Sequence, residues 1–338
     1  MDNNFHQLYP AYDRSYLSIL KKEIHSLSLK NGFSESRTGE VDIIVAELTS
    51  NLIKHAQEGI VLAKAIRDND LRGVEIISID KGPGIHDINR NVVDGFSTKN
   101  TLGHGLGAIK RLSDFFQAYS IKGWGTIMLS RIYETSPPLF LKTARIQSRD
   151  VVVPKPGEFY SGDRFYRRQT GNFINFFLGD GLGHGIDASV AVEKAGEVFM
   201  AAPENDPVEL IRKINQHAKK TRGLVGTVAV LDIVERKWKI CGVGNISTKL
   251  LSPDNPKTHI SYNGIIGMNV PNTLNSLEVD YSPDQHLIMC SDGIKSRWDL
   301  LRLPGILRND PAIIASAIYR DFTRNNDDAS VAVSKIIL

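Results

Sequence analysis

One break in pattern limits how this chain can fold. In Glu134-Thr-Ser-Pro-Pro138, consecutive prolines stop both a helix and an interior strand, because proline fixes φ and has no amide N–H. With 338 residues the chain is long enough for two domains, each with its own core. The break places the division near Thr135, giving a first domain over 1–135, a linker over 136–147 and a second domain over 148–338. Before the break, Val41, Ile44, Val45, Leu48 and Leu52 recur at helical spacing, and apolar runs at 60–66 and 74–79 read as strands. A second helix over 105–116 and a closing strand over 125–132 complete an expected α+β sandwich, one sheet covered by helices. After the break strands dominate, at 173–178, 227–234, 238–243, 286–290 and 330–337, with helices over 186–200 and 207–220 and a hairpin at Glu235-Arg-Lys237.

Composition narrows the functional classes. Hydrophobic residues at 41% and charged residues at 23% exclude a disordered or fibrous chain. Lys plus Arg number 41 against 38 Asp plus Glu, and the resulting +3 is too small to indicate nucleic acid as a partner. Residues 1–20 lack the basic start and apolar stretch of a secretion signal, and no apolar run approaches the ~18 residues of a membrane span. A soluble, cytoplasmic protein without a membrane partner is expected. Cys241 and Cys290 have apolar neighbours and no Cys-x-x-Cys spacing, so they read as core residues and not as a disulfide or zinc site.

In the first half, Glu47 and Asn51 lie four positions apart, which stacks a carboxylate and a carboxamide on one strip of a helix. Asp80-Lys-Gly82-Pro-Gly84 then puts a carboxylate at a strand end, followed by glycines that admit a ligand close to the backbone. Farther on, Ser97-Thr98-Lys99 and Gly103-His-Gly105-Leu-Gly107 supply hydroxyls, an ammonium and a glycine loop entering a helix N-terminus, where free N–H groups favour phosphate. Each signal alone is weak, since Asp-x-Gly-x-Gly is most often a plain turn. His55 and His104 have no partner at metal-ligand spacing and read as structural or solvent-facing.

In order and spacing these motifs resemble the N, first glycine and second glycine boxes of the GHKL ATPase superfamily over 31–133. The short segment between the glycine boxes is most similar to the anti-sigma serine/threonine kinases, and among them to the switch kinases of bacterial stressosome modules. The resemblance implies a GHKL (Bergerat) α/β sandwich that binds ATP with Mg²⁺. It implies that Asn51 coordinates Mg²⁺ and Glu47 orients or deprotonates the substrate hydroxyl. Asp80 then reads the adenine amine beside Gly82 and Gly84, while Thr98, Lys99, Gly103, Gly105 and Gly107 line the phosphates. These roles suit phosphoryl transfer, which needs mainly positioning and charge neutralisation.

In the second half the informative residues are aspartates beside glycines or at strand ends: Asp163, Asp180, Asp292, Asp327 and Asp328. Any one Asp-Gly pair is an ordinary turn. Brought together without a basic cluster, such carboxylates repel unless divalent cations sit among them, and an all-oxygen donor set selects Mg²⁺ or Mn²⁺. The motifs Ser161-Gly-Asp163, Gly179-Asp-Gly-Leu-Gly-His-Gly185, Met289-Cys-Ser-Asp292-Gly293 and Asn326-Asp-Asp-Ala-Ser330 resemble the type 2C metal-dependent serine/threonine phosphatases, in their bacterial sporulation and stress-response branch. That resemblance implies an α-β-β-α sandwich over 148–338 and two Mn²⁺ or Mg²⁺ ions. By the same resemblance Asp180 bridges the ions and the Gly181 carbonyl holds one. Asp292 and Asp327 bind the other, and Asp163 is a ligand or anchors one, with Asp328 the alternative to Asp327. The usual first motif continues into a further acid, whereas here Asp163 is followed by Arg164, Arg167 and Arg168, which either meet the substrate phosphate or form a solvated loop. Asp187 reads as facing or capping its helix, and Trp238 and Trp298 as packing residues.

The two resemblances together imply a bifunctional partner-switching regulator, an ATP-dependent serine/threonine kinase joined to a metal-dependent phosphatase, both acting on STAS-type anti-sigma antagonist proteins. A short linker raises the effective concentration of each site near a shared substrate. The alternative is a phosphatase regulated by a GHKL domain that binds nucleotide and partner without transferring phosphate. Homo-oligomerisation is left open by the sequence.

Overall fold

The computed structural model describes residues 5–11, 14–56, 58–85, 105–138, 146–252 and 256–338. The chain forms two compact units, Met1–Ala144 with Leu300–Ala317, and Arg145–Asp299 with Ile318–Leu338. Thr98, Lys99, Gly103 and His104, together with 139–145 of the expected linker, lie outside the described residues.

The first unit carries β1 (Gln7–Pro10), α1 (Arg14–Lys30), α2 (Glu35–His55), β2 (Ile60–Asp68), β3 (Leu71–Ile79), α3 (Gly105–Leu112), β4 (Phe115–Ile121) and β5 (Gly125–Tyr133). The strands form one antiparallel sheet in the order β1-β2-β3-β5-β4. Helix α2 starts at Ser34, whose side chain accepts the Arg37 N–H, and ends in Lys54 and His55, so both termini complement the helix dipole. Its stripe of Val41, Ile44, Val45, Leu48 and Leu52 is buried against Val61, Ala63, Val74, Ile76, Met128 and Ile132, which alternate along the strands. The expected helix over 105–116 is shorter: α3 ends at Leu112, and Phe115 begins a strand instead. Asp114 fixes that break, because its carboxylate accepts the Tyr133 N–H at 2.8 Å and pairs with Arg37.

The opposite face of this sheet buries charge. Glu75 and Arg131 face each other across the β3–β5 register, with Arg131 Nε 2.6 Å from a Glu75 oxygen. Arg131 also makes a bidentate pair with Asp310, at 2.7 and 2.8 Å, and His6 Nε2 lies 3.3 Å from the other Glu75 oxygen.

The second unit is built on two antiparallel sheets. One has the order β13 (Leu277–Asp280), β10 (Lys237–Val243), β9 (Leu224–Asp232), β8 (Phe173–Gly181) and β7 (Asp163–Thr170). The other runs β12 (Lys257–His259), β11 (Ser247–Leu251), β14 (His286–Cys290), β15 (Ala329–Ile336) and β6 (Ile146–Val153). Side chains of period two fill the space between them: Ile174, Phe176, Leu178, Trp238 and Ile240 from one sheet meet Leu250, Leu287, Met289, Ala332 and Ile336 from the other. The alternate residues Phe177, Val228, Val230, Cys241 and Val243 pack under α4 (Ile186–Ala201) and α5 (Pro207–Ala218), giving the sheet a helical outer layer. Asp206 caps α5 by accepting from Val208 and Glu209 N–H, with Pro207 at the first helical position. A further helix, α6 (Pro311–Phe322), precedes β15. Cys241 and Cys290 are free and buried, Trp238 is buried with its indole N–H on Gln285, and Trp298 is buried too. Among the described residues no helix is long and apolar enough to cross a membrane.

Candidate functional site

The proposed nucleotide-binding residues of the first unit that are described gather around α2. Glu47 and Asn51 are half-buried on one strip of the helix. The start of α3 lies against them so closely that a Cβ on Gly105 would come 2.6 Å from Glu47 Oε2. Gly107 is buried one turn into α3. Asp80 is 9% exposed at the end of β3, and its Oδ1 accepts the Gly82 N–H at 2.6 Å. A Cβ on Gly82 would meet the His55 carbonyl at 2.8 Å, so the Asp80 turn abuts the end of α2. Gly84, at φ +73°, would set a Cβ 2.1 Å from the Ile121 carbonyl, a position only glycine fills. The Asn51 side-chain N is buried without a hydrogen-bond partner. An orphaned N–H donor on the same strip as Glu47 suits a ligand rich in acceptors, such as a phosphate.

The five aspartates of the second unit assemble at one end of its two sheets. Asp163 begins β7 and Asp180 nearly ends β8, and the antiparallel register sets them directly opposite each other. Like charges so placed destabilise a sheet. Asp292 follows β14 and Asp327-Asp328 precede β15, which pairs with β14. Gly293 lets those two ends meet, since a Cβ there would lie 1.9 Å from the Asp328 carbonyl oxygen. Ser291 ties this end to β7: its hydroxyl donates to Asp163 Oδ2 at 2.6 Å and accepts the Ser330 N–H at 3.0 Å. The Gly181 N–H donates to the Gly162 carbonyl at 3.0 Å, holding the Asp180-Gly181 backbone beside the start of β7.

Electrostatics mark the assembly. Burial pushes the Asp163 carboxyl up to about 7; the Ser291 hydroxyl opposes this, and Asp328 and Asp292 add to it. Burial also holds Asp180 well above the usual carboxylate range, with Asp163, Asp292, Asp327 and Asp328 all acting in the same direction. Among the described residues no Lys or Arg forms an ion pair with any of the five. Nor do three His, Cys, Asp or Glu side chains of the described residues already close on one point as ion ligands. Asp163 Oδ1 nevertheless remains buried without a hydrogen-bond partner. An orphaned carboxylate oxygen among mutually repelling, all-oxygen donors fits divalent cations such as Mg²⁺ or Mn²⁺.

Three neighbours escaped the sequence reading. Asn245 donates to Asp292 Oδ2 at 2.9 Å, Ser291 binds Asp163, and Glu158 lies 2.6 Å from His184 Nδ1 within the Gly-His-Gly turn. Ser291 and His184 stood inside quoted motifs, whereas Asn245 follows a strand end with no motif around it. The arginines after Asp163 divide. Arg164 pairs with Glu193 at 2.5 Å, and Arg168 donates to the Ala202 and Glu204 carbonyls over the Phe199 ring, so both are buried in the fold while Arg167 is exposed. Asp187 is exposed, 3.7 Å from Arg222.

Comparison with known proteins places both halves. Residues 11–129 match the family described as histidine kinase-like ATPase domain, and residues 170–336 match Stage II sporulation protein E (SpoIIE). The chain is 38% identical over 95 residues to serine/threonine-protein kinase RsbT of Bacillus subtilis (strain 168), which covers 28% of this chain and 71% of that protein. It is 26% identical over 108 residues to phosphoserine phosphatase RsbX of the same organism, covering 32% of this chain and about half, 54%, of the relative. A solved structure from work on the bacterial stressosome as a modular system controlling secondary messenger signalling is similar at a TM-score of 0.53 and 26% identity, over 56% of this chain and 98% of that one. The chain therefore belongs to the family of the RsbT kinase in its first half, and joins that GHKL-type, histidine kinase-like ATPase domain to a SpoIIE-type, type 2C phosphatase domain.

Proposed function

We propose that this protein is a bifunctional cytoplasmic regulator that adds phosphate to, and removes it from, serine or threonine of STAS-type antagonist proteins. The observation that carries the reading is the cluster of Asp163, Asp180, Asp292, Asp327 and Asp328, in which burial pushes Asp163 up to about 7 and Asp180 well above the usual carboxylate range, the neighbouring aspartates adding to both. Asp163, Asp180, the Gly181 carbonyl, Asp292 and Asp327 are the groups that would hold two Mn²⁺ or Mg²⁺ ions. When bound, such ions neutralise this charge and supply an activated water for attack on a phosphoester. Ser291 fixes the direction of the Asp163 carboxylate, and Asn245 that of Asp292.

In the first unit, Asn51 would hold the Mg²⁺ of ATP, and ATP supplies the phosphoryl group. Glu47 would orient the acceptor hydroxyl and take its proton, and Asp80 would accept from the adenine amine. Gly105 keeps the entry of α3 open beside Glu47.

Two assays test the reading: Mn²⁺-dependent phosphate release from a serine-phosphorylated STAS protein, and ATP-dependent phosphorylation of its unmodified form. Absence of both removes it. Glu47→Ala separates kinase from nucleotide-regulated phosphatase, because only the kinase reading expects transfer to be lost while ATP binding is kept.

A further inference from the structure

The turn before the first aspartate, 155–162, has no role in the chemistry above, yet it is fastened with unusual care. Both Asp328 oxygens are committed to it: Oδ1 accepts the Lys155 N–H at 2.8 Å and Oδ2 the Gly162 N–H at 2.9 Å. The carboxylate thus closes the turn at both ends. Inside it, the Glu158 N–H returns to the Lys155 carbonyl at 2.9 Å, and the Glu158 side chain reaches His184 Nδ1. A Cβ on Gly185 would lie 3.0 Å from Glu158 Oε2, so the turn rests on the Gly-His-Gly segment that follows Asp180. At its tip Phe159 is 81% exposed, and Ile186, just beyond that same segment, is 56% exposed.

A single exposed apolar residue is ordinary. A phenyl ring held out to solvent by a doubly stapled turn, a few residues from Asp163, contributes nothing to the core. Its rigidity lowers the entropy a partner must overcome to bury it. We propose that 155–162 is the recognition loop for a folded phosphoprotein. Phe159, with Ile186, is the apolar contact for the surface flanking the phosphoserine, and Asp328 is a positioning residue that staples the loop. The proposal rests on the phosphatase reading above. It also leaves Asp327, rather than Asp328, to meet a cation.

The test compares a serine-phosphorylated STAS protein with p-nitrophenyl phosphate, which has no flanking surface. The readout is the ratio of kcat/KM for the two substrates, with Mn²⁺ present. Phe159→Ala lowers this ratio about tenfold or more, through KM for the protein, from the loss of one buried ring. Phe159→Leu restores part of it. Asp328→Asn removes one acceptor, lowers the same ratio and speeds amide exchange at Lys155 and Gly162. The Mn²⁺ concentration for half-maximal activity then moves less than in Asp327→Asn. An unchanged ratio in Phe159→Ala, or an Asp328→Asn variant needing as much extra Mn²⁺ as Asp327→Asn, overturns the loop assignment while leaving the phosphatase reading intact. A wild-type protein inactive on both substrates, or on the phosphoprotein alone, removes that reading and the loop assignment with it.

Discussion

Glu75 in the first unit and Asp163 in the second are both fully buried carboxylates on antiparallel strands, and their environments drive them in opposite directions. Burial raises both. At Glu75, Arg131 across the register overrides burial, with His6 and Lys64 assisting, and holds the carboxyl well below its ordinary range. At Asp163 the residue across the register is Asp180 and no arginine, so burial is not overridden and, with Asp328 and Asp292 adding to it, the carboxyl rises to about 7. The first cluster contains its own counter-charge and closes on itself through Asp310. Among the described residues the second has no Lys or Arg partner, only His184 acting on Asp328, which suits a site that takes cations from outside. A buried charge is thus informative about function only once its partners are counted.

Breaking the self-sufficient cluster has the largest effect on stability. Arg131→Met takes the bidentate partner from Asp310 and leaves Glu75 with only His6 and Lys64, and removal of one member of a buried charge network costs about 3 to 5 kcal/mol. Urea unfolding of the first unit should show this loss, while phosphate release measured under folding conditions should persist. A variant as stable as the parent shows that the network can be dispensed with.

Asp180→Asn acts the other way round on the second cluster. It removes a like charge facing Asp163, so the EDTA-treated protein should melt at a higher temperature than the parent. Phosphatase activity should fall by at least about 100-fold, because loss of an outer partner alone costs 10- to 100-fold at metal sites. A lower melting temperature in EDTA would mean that the carboxylates do not repel, and the comparison with Glu75 would fail.

pH gives a graded version of the same contrast. The folded pKa of Asp163 lies at about 7, above the 3.8 of an unperturbed Asp. Below the unperturbed value both states are protonated and the group contributes no difference. As pH rises toward 7 the unfolded chain ionises first, so the folded state binds more protons and stability declines, by at most about 1.4 kcal/mol per pH unit for one group. Glu75 is depressed in the fold, so its contribution is already complete above its ordinary range and stays level in this window. Calorimetry in EDTA between pH 5 and 7 should therefore show a falling transition for the second unit, and saturating Mn²⁺ should reverse it. A flat profile in EDTA removes the repulsion argument.

How much of this was legible beforehand follows from the range of the interactions. The Glu47–Asn51 strip, the Asp80-Gly82 turn and the Asp180-Gly-Leu-Gly-His-Gly185 segment are local, and their spacing in the chain is their spacing in the fold. Strand β7 was not foreseen because Asp-Arg-Phe-Tyr-Arg-Arg-Gln-Thr shows no apolar alternation; Arg164 and Arg168 are buried through pairings with α4 and the segment after it. Helix α3 was overextended because Phe115 and Phe116 continue the apolar pattern, and the break depends on Asp114 meeting Tyr133 and Arg37. The Arg131–Asp310 pair joins residues 179 positions apart, beyond any local pattern. Asp327 and Asp328 are interchangeable in the sequence, whereas in the fold Asp328 accepts the N–H groups of Lys155 and Gly162 and Asp327 that of Asp328, contacts no local pattern encodes.

The smallest effect belongs to Asn245, whose amide donates to Asp292 at the exposed edge of the acidic cluster. Its counterpart in the other cluster is Gln117, whose side-chain oxygen accepts the Asp310 N–H at 2.7 Å in a partly buried setting. Water can replace Asn245 where it cannot easily reach Gln117, because a bridging water forms nearly as good a bond at an exposed position. Asn245→Ala should therefore raise the Mn²⁺ concentration for half-maximal phosphate release only about tenfold, the low end for a partner that orients a metal ligand. Ser291→Ala, which strips the buried Asp163 of its hydroxyl donor, should raise it more. If Asn245→Ala were the more damaging of the two, burial would not be what sets the importance of these partners, and the contrast between the two clusters would rest on geometry alone.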